Sequence, residues 1–205
     1  LTTYRGHDMR VVDLPGTYSL TAYSLEEIVT RNYILEERPD VVVDVVDASN
    51  LERNLYLAQQ LKELEIPLVL AFNIMDEARK QGYQIAVQQL GRLLGTPIIE
   101  TVGTKGEGIN ELIETVVDII EGKRAVTPLI FRYGDEIEAE LHHVQQLLVK
   151  DQELSQTYAP RWLALKVLER FPVAELRRAD VRRPPFIPPC ERGDVRSGLG
   201  EGGES

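Results

Sequence analysis

Residues 11–20 read VVDLPGTYSL, and the fold turns on how this stretch is taken. Two β-branched residues run into Asp13, after which Pro15 and Gly16 force a turn into Thr17, Tyr18 and Ser19. β-Branched residues favour an extended chain, and a Pro-Gly pair ends one. The pattern predicts a strand that closes on a carboxylate. Two later runs end in the same manner: PLVLAFN (67–73) leads into Ile74, Met75 and Asp76, and TPIIETV (96–102) leads into GTKGEG. In an open parallel sheet, ligands sit beyond the carboxyl ends of the strands, so three polar clusters are expected at one sheet edge.

Outward from these clusters, strand and helix patterns alternate to about residue 122. LTTYRG and HDMRVVDL read as a hairpin around an Arg-Gly turn. YSLEEIVTRNYILEE has Ser24 and Glu27 at capping-box spacing, which starts a helix. DVVVDVV is a short run of buried-strand type, and Leu51, Leu55, Leu57, Ala58, Leu61 and Leu64 form a helical stripe. A helix containing QQLGRLLG precedes the last strand, and GINELIETVVDIIEG is a helix closed by Gly122. Such alternation predicts an α/β fold with a mostly parallel sheet and flanking helices. GDEIEAELHHVQQLLVK and APRWLALKVLERF then continue as helices without strands. The tail beyond them is rich in Arg, Pro and Gly and has no hydrophobic period, so it is expected to be disordered, as foreign sequence or as a genuine linker. The expected division is 1–122, 123–171 and 172–205.

Of the 205 residues 43% are hydrophobic, enough for a sizeable core, and the net charge is −10. That balance argues against nucleic acid as a main partner, since it leaves no broad basic surface. The longest apolar run is interrupted by Asp44 and Asp47 and falls far short of the roughly 20 residues that span a bilayer, so no transmembrane segment is expected. The one cysteine, Cys190, rules out a disulfide framework. His142 and His143 are adjacent on a helix and face different directions, which suits solvation better than a metal pair. Trp162 reads as a core anchor of the second helical segment.

Each cluster alone has a plain reading: a turn at Asp13–Gly16, a helix cap at Asn73–Asp76, a glycine loop at Thr101–Gly108. Together and in this order they resemble the later motifs of a P-loop GTP-binding domain. The resemblance implies that Asp13 holds a Mg²⁺-bound water, with Leu14, Pro15 and Gly16 shaping a loop whose backbone approaches the γ-phosphate. It implies that Asp76 accepts two hydrogen bonds from the guanine edge, which adenine cannot offer, and that Asn73 ties the loops together. Ile74 then covers the base where many such proteins carry lysine, Met75 completes the motif, and Thr101, Val102 and Gly103 belong to the loop that offers amides to the guanine oxygen.

The wording VVDLPGTYSLTAYSLEE, PDVVVDVVDASNLERNLYLAQQL, NIMDEA and TKGEGI closely resembles the ferrous iron transport protein B family, densely over 1–122 and more loosely through RYGDEIEAEL and RWLALKVLER. What that resemblance implies is the cytosolic GTPase portion of a bacterial membrane protein, followed by part of a small helical domain. GTP or GDP and Mg²⁺ would be its ligands. Its place would be the cytoplasmic face of the inner membrane, and its partner the membrane part of the transporter. GTP turnover would be coupled to Fe²⁺ uptake. The sequence contains no G-x-x-x-x-G-K-[ST], and Thr2 and Thr3 lie too close to the next strand to serve as the first switch. The chain therefore reads as an internal fragment, inactive without the phosphate loop. No general base is assigned, because Thr17 is too short to orient water. In this class the strand before the phosphate loop lies in mid-sheet, beside Val41–Val46. Its loss is expected to leave a marginal or aggregation-prone chain, or one whose flanking strands pair directly. Three other readings are a non-catalytic helical interaction module, an inactive truncated product, and a different P-loop GTPase.

Overall fold

The computed structural model describes residues 2–20, 24–126, 131–150 and 158–170. The hairpin forms as the sequence indicates: β1 (Thr2–Tyr4) pairs antiparallel with β2 (His7–Met9). Arg5 and Gly6 both take positive φ (48° and 81°), the two-residue turn that matches strand twist. Beyond β2 the expectation fails. The strand predicted to end on Asp13 stops at Met9, and Val11 and Val12 are 77% and 39% exposed. Extended backbone needs a hydrogen-bonded neighbour, and among the described residues 10–13 have none.

The main sheet has three parallel strands, β3 (Val42–Asp47), β4 (Leu68–Asn73) and β5 (Ile98–Glu100), in the order β3-β4-β5. β4 is central, and its residues Leu68–Phe72 are buried on both faces. Register pairs Asp44 with Leu70 and Val46 with Phe72, so these side chains share one face. On that face helix α2 (Leu51–Glu63) packs through Ala58 and Leu61 in the main core. Val43 and Val45, on the opposite face beside Val69 and Ala71, are 38% and 61% exposed. β3 therefore has an open outer edge among the described residues. The direct pairing of this edge with the segment ending at Asp13, one of the expected outcomes, does not occur.

Helix α1 (Leu25–Glu37) begins where the capping box put it, with the Glu27 amide donating to Ser24 Oγ at 3.2 Å. α3 (Met75–Lys80) and α4 (Val87–Leu94) lie between β4 and β5, so the single helix expected there is two. A 3₁₀ turn (Gly103–Lys105) and α5 (Ile109–Ile120) follow β5. The predicted stop at Gly122 is present, at φ 70°. The hairpin rests on α5 through Arg5, which pairs with Asp118 at 3.1 Å, and through His7 and Glu121 at 3.0 Å.

Two helical segments were expected next, and α6 (Asp135–Leu148) and α7 (Pro160–Arg170) are found. Leu141, Val144, Leu148, Trp162 and Leu163 join the same hydrophobic cluster as α2 and β4. Trp162 is 6% exposed and stacks on Tyr158 with ring centroids 5.6 Å apart. His142 and His143 are both exposed, as anticipated. The tail from residue 172, with Cys190, lies outside the described residues.

Candidate functional site

The site grows from the end of β4. Asn73 is its last residue, and the carbonyl accepts the Ala48 amide (3.0 Å), tying the end of β3 to it. The Asn73 side chain reaches the other way. Its Oδ1 accepts the Gly103 amide at 2.9 Å and lies 3.4 Å from Thr101 Oγ1. Ile74 then adopts φ 62°, a left-handed conformation costly for a β-branched residue, and stands 42% exposed. The kink turns the chain at once into α3, with Met75 buried beneath it and the Met75 amide directed at the Thr101 carbonyl (3.4 Å).

Asp76 sits in the first turn of α3, where a carboxylate suits the free amides and the positive end of the helix. Its Oδ1 accepts the Glu77 amide (3.1 Å), and its Oδ2 accepts from Lys105 Nζ (2.8 Å). The Lys105 hydrogen bond is the main cause that holds the Asp76 carboxyl below its ordinary range, and the same bond raises the Lys105 ammonium.

The facing loop is pinned from below. Thr101 is buried, with Oγ1 near the Phe72 carbonyl (3.3 Å), and Val102 exchanges a bridge with Glu107. Gly108 has φ 78°, and a Cβ there would lie 2.0 Å from the Glu100 carbonyl oxygen, so only glycine allows the loop to close onto β5. Arg79 of α3 pairs with Glu100, a further tie between the two loops. The structure thus brings Asn73, Ile74, Met75, Asp76, Thr101, Val102 and Gly103 into one constellation.

The third cluster is held by α1. Asp13 is exposed, Leu14 packs against the core, and the Pro15 carbonyl accepts from Thr30 Oγ1 (3.2 Å) on α1. Among the described residues no hydrogen bond or ion pair links Asp13–Gly16 to the other two clusters. A Cβ built on Gly16 would meet nothing within 4 Å, so space is open in front of that backbone. The expected single edge carrying all three clusters is therefore two clusters on the sheet and one held by α1. The reason is the missing ladder at residues 10–13.

Lys105 was not singled out from the sequence, although it lies inside the quoted GTKGEG loop; a pairing across 29 residues leaves no local signal. Asp44 was passed over too. It is 9% exposed, its Oδ2 has no hydrogen-bond partner, and burial pushes its carboxyl up to about 6. Strand alternation did signal it, because Asp44 falls in phase with the inward Val42 and Val46.

A family model described as ferrous iron transport protein B matches residues 1–116, and one described as the FeoB cytosolic helical domain matches residues 133–176. The Fe(2+) transport protein A/Fe(2+) transporter FeoB fusion protein of Porphyromonas gingivalis is 42% identical over 165 residues, 80% of this chain and 20% of that protein. The chain thus spans about a fifth of the length of the curated relatives it matches. Among solved structures, the cytosolic domain of the T. maritima FeoB iron transporter in a GDP form superposes with TM-score 0.76 at 36% identity, covering 82% of this chain and 65% of that one. Its GMPPNP form gives 0.75 at 36% identity, covering 85% and 69%. With residues 1–116 and 133–176 matched by two models of one family, the chain belongs to the ferrous iron transport protein B family.

Proposed function

We propose that residues 1–122 are the guanine-reading part of a GTP-binding domain, that residues 123–171 are its helical companion, and that together they serve the cytosolic side of a ferrous iron transporter. The observation that carries this reading is the Asn73–Gly103 bond. It fastens two loops beside the Asp76 carboxylate and the exposed Ile74 side chain. Ile74 offers an apolar face for a purine ring, and Asp76 accepts from N1–H and the exocyclic amine of guanine. Adenine presents an acceptor in place of N1–H, so the carboxylate rejects it. Solved relatives in GDP and GMPPNP forms support the same nucleotide class.

Asp13 and Gly16 fit the phosphate end in chemistry. Asp13 is an exposed carboxylate suited to a water on Mg²⁺, and Gly16 leaves room for a phosphate against its amide. Mg²⁺, when bound, would neutralise phosphate charge at that position. Without a G-x-x-x-x-G-K-[ST] sequence, these residues alone bind the base and do not hydrolyse GTP. The parent protein couples the nucleotide cycle to Fe²⁺ entry at the inner membrane of its bacterium. No helix among the described residues is long and apolar enough to cross a membrane, so the membrane part is a partner in this reading.

Calorimetric titration with Mg·GDP, and with Mg·ADP as control, tests the proposal. GDP is expected to bind and ADP not. Asp76→Asn is expected to weaken GDP by about 10- to 100-fold, the worth of one hydrogen bond to a charged group, and to admit xanthosine diphosphate, whose 2-oxo group accepts from the new amide. Equal binding of GDP and ADP would overturn the reading.

A further inference from the structure

Both oxygens of the Asp76 carboxylate are engaged within the protein, one by the Glu77 amide and the other by Lys105. Guanine needs this carboxylate for two donors of its own. The Glu77 amide is fixed in the helix and shares its oxygen's second lone pair with a newcomer. Lys105 is different, because it reaches Asp76 from the opposite loop on a long, half-exposed side chain. The other cations of this corner are committed elsewhere: Lys80 to Glu77 at 3.2 Å and Arg79 to Glu100. Lys105 itself closes the 3₁₀ turn that begins at Gly103, the residue whose amide Asn73 holds, so its backbone is anchored while its side chain is half exposed.

Building on the guanine reading above, we infer that Lys105 is a placeholder for the base. Its ammonium donates to the Asp76 oxygen that guanine would use, and nucleotide enters by displacing it. The side chain thus lowers guanine affinity and, by returning to Asp76, speeds release. This makes Lys105 a residue that tunes nucleotide exchange. The contact is a solvent-exposed ion pair, which sets its scale: removing it is worth about a two- to fivefold gain in affinity. Salt screens the pair, so added salt favours the entry of an uncharged base.

The test is an amide NMR titration of the chain with guanosine, which carries no phosphate, and with adenosine as control. Lys105→Gln is compared with the native chain, and Lys105→Arg serves as the conservative variant. The Asp76 and Gly103 amides are expected to shift with guanosine. Lys105→Gln should tighten guanosine two- to fivefold and abolish the salt response, while Lys105→Arg keeps native behaviour. In parallel, the Asp76 carboxyl should titrate higher in Lys105→Gln than in the native chain. Unchanged or weakened guanosine binding in Lys105→Gln, or an unaltered Asp76 titration, overturns the inference and leaves the guanine reading standing. If guanosine and adenosine act alike on the native chain, the guanine reading fails and takes the inference with it.

Discussion

Asp44 occupies a position that the strand gives to a β-branched residue. It pairs in register with Leu70, faces the core, and keeps one oxygen without a partner. Burial raises its carboxyl from 3.8 to about 6. Between those two values the folded chain holds a proton that the unfolded chain has released. Stability therefore falls as pH rises through that window and is lowest above it. The penalty at neutral pH is on the order of 3 kcal/mol, from about 1.4 kcal/mol per pH unit. Asp44→Val removes the charge and suits the strand, so a gain of about 2–3 kcal/mol is expected at pH ~8. At pH ~4 the gain should shrink, because the native carboxyl is then largely neutral when folded. Urea midpoints of both chains at the two pH values check this; an equal gain at both would mean that ionisation is not the cause. At this scale the sequence was informative where chemistry is local. Asn73 and Asp76 were legible as neighbours because both stand at the end of one strand, whereas the strand expected to end on Asp13 stops at Met9. Lys105 was not, since its partner is distant in sequence.

Among the elements, helix ends were the most legible parts, since Ser24 with Glu27 and Gly122 act on their own neighbours. The end of β2 was the least legible, because an extended segment is only as long as the strand beside it. The joint between sheet and helical pair was also hidden. Arg161 of α7 holds the Phe131 carbonyl and both oxygens of Glu138, at 2.6–2.9 Å, and the Tyr133 amide donates to Glu138 (3.1 Å). This fork fixes the approach to α6 and draws the Glu138 carboxyl down to about 2, chiefly through Arg161. Tyr133 so placed donates its hydroxyl to Glu63 at the end of α2, 70 residues earlier. Burial of the pair pushes the phenol up to about 12 and the Glu63 carboxyl upward as well. Tyr133→Phe leaves a half-buried carboxylate without this donor and should cost about 1–2 kcal/mol. The Glu63 carboxyl rises further in that variant, so its deficit should grow as pH rises. Thermal melts at pH ~5 and ~8 measure it, and a deficit that is constant with pH would show that Glu63 is not the partner that matters.

For the molecule as a whole, the sheet is legible in its order and incomplete in its width. β4 is covered on both faces, whereas among the described residues β3 has no partner along one side, with Val43 and Val45 beside that edge. Such an edge is a template for association with other chains. Val45→Lys puts a charge at the edge without touching the core, and is expected to raise the concentration at which the chain stays monomeric with a change in stability within about 0.5 kcal/mol. Light scattering against concentration decides it; identical aggregation in both chains would place the sticky surface elsewhere. Amide exchange should likewise be faster along β3 than along β4. One further consequence is optical. The sequence has a single tryptophan, and that indole is Trp162, stacked on Tyr158 in the helical pair. Its ultraviolet emission is therefore a private channel for the helical pair. A change in colour or intensity when nucleotide arrives would report, without any label being added, that the shared core of sheet and helical pair carries the event.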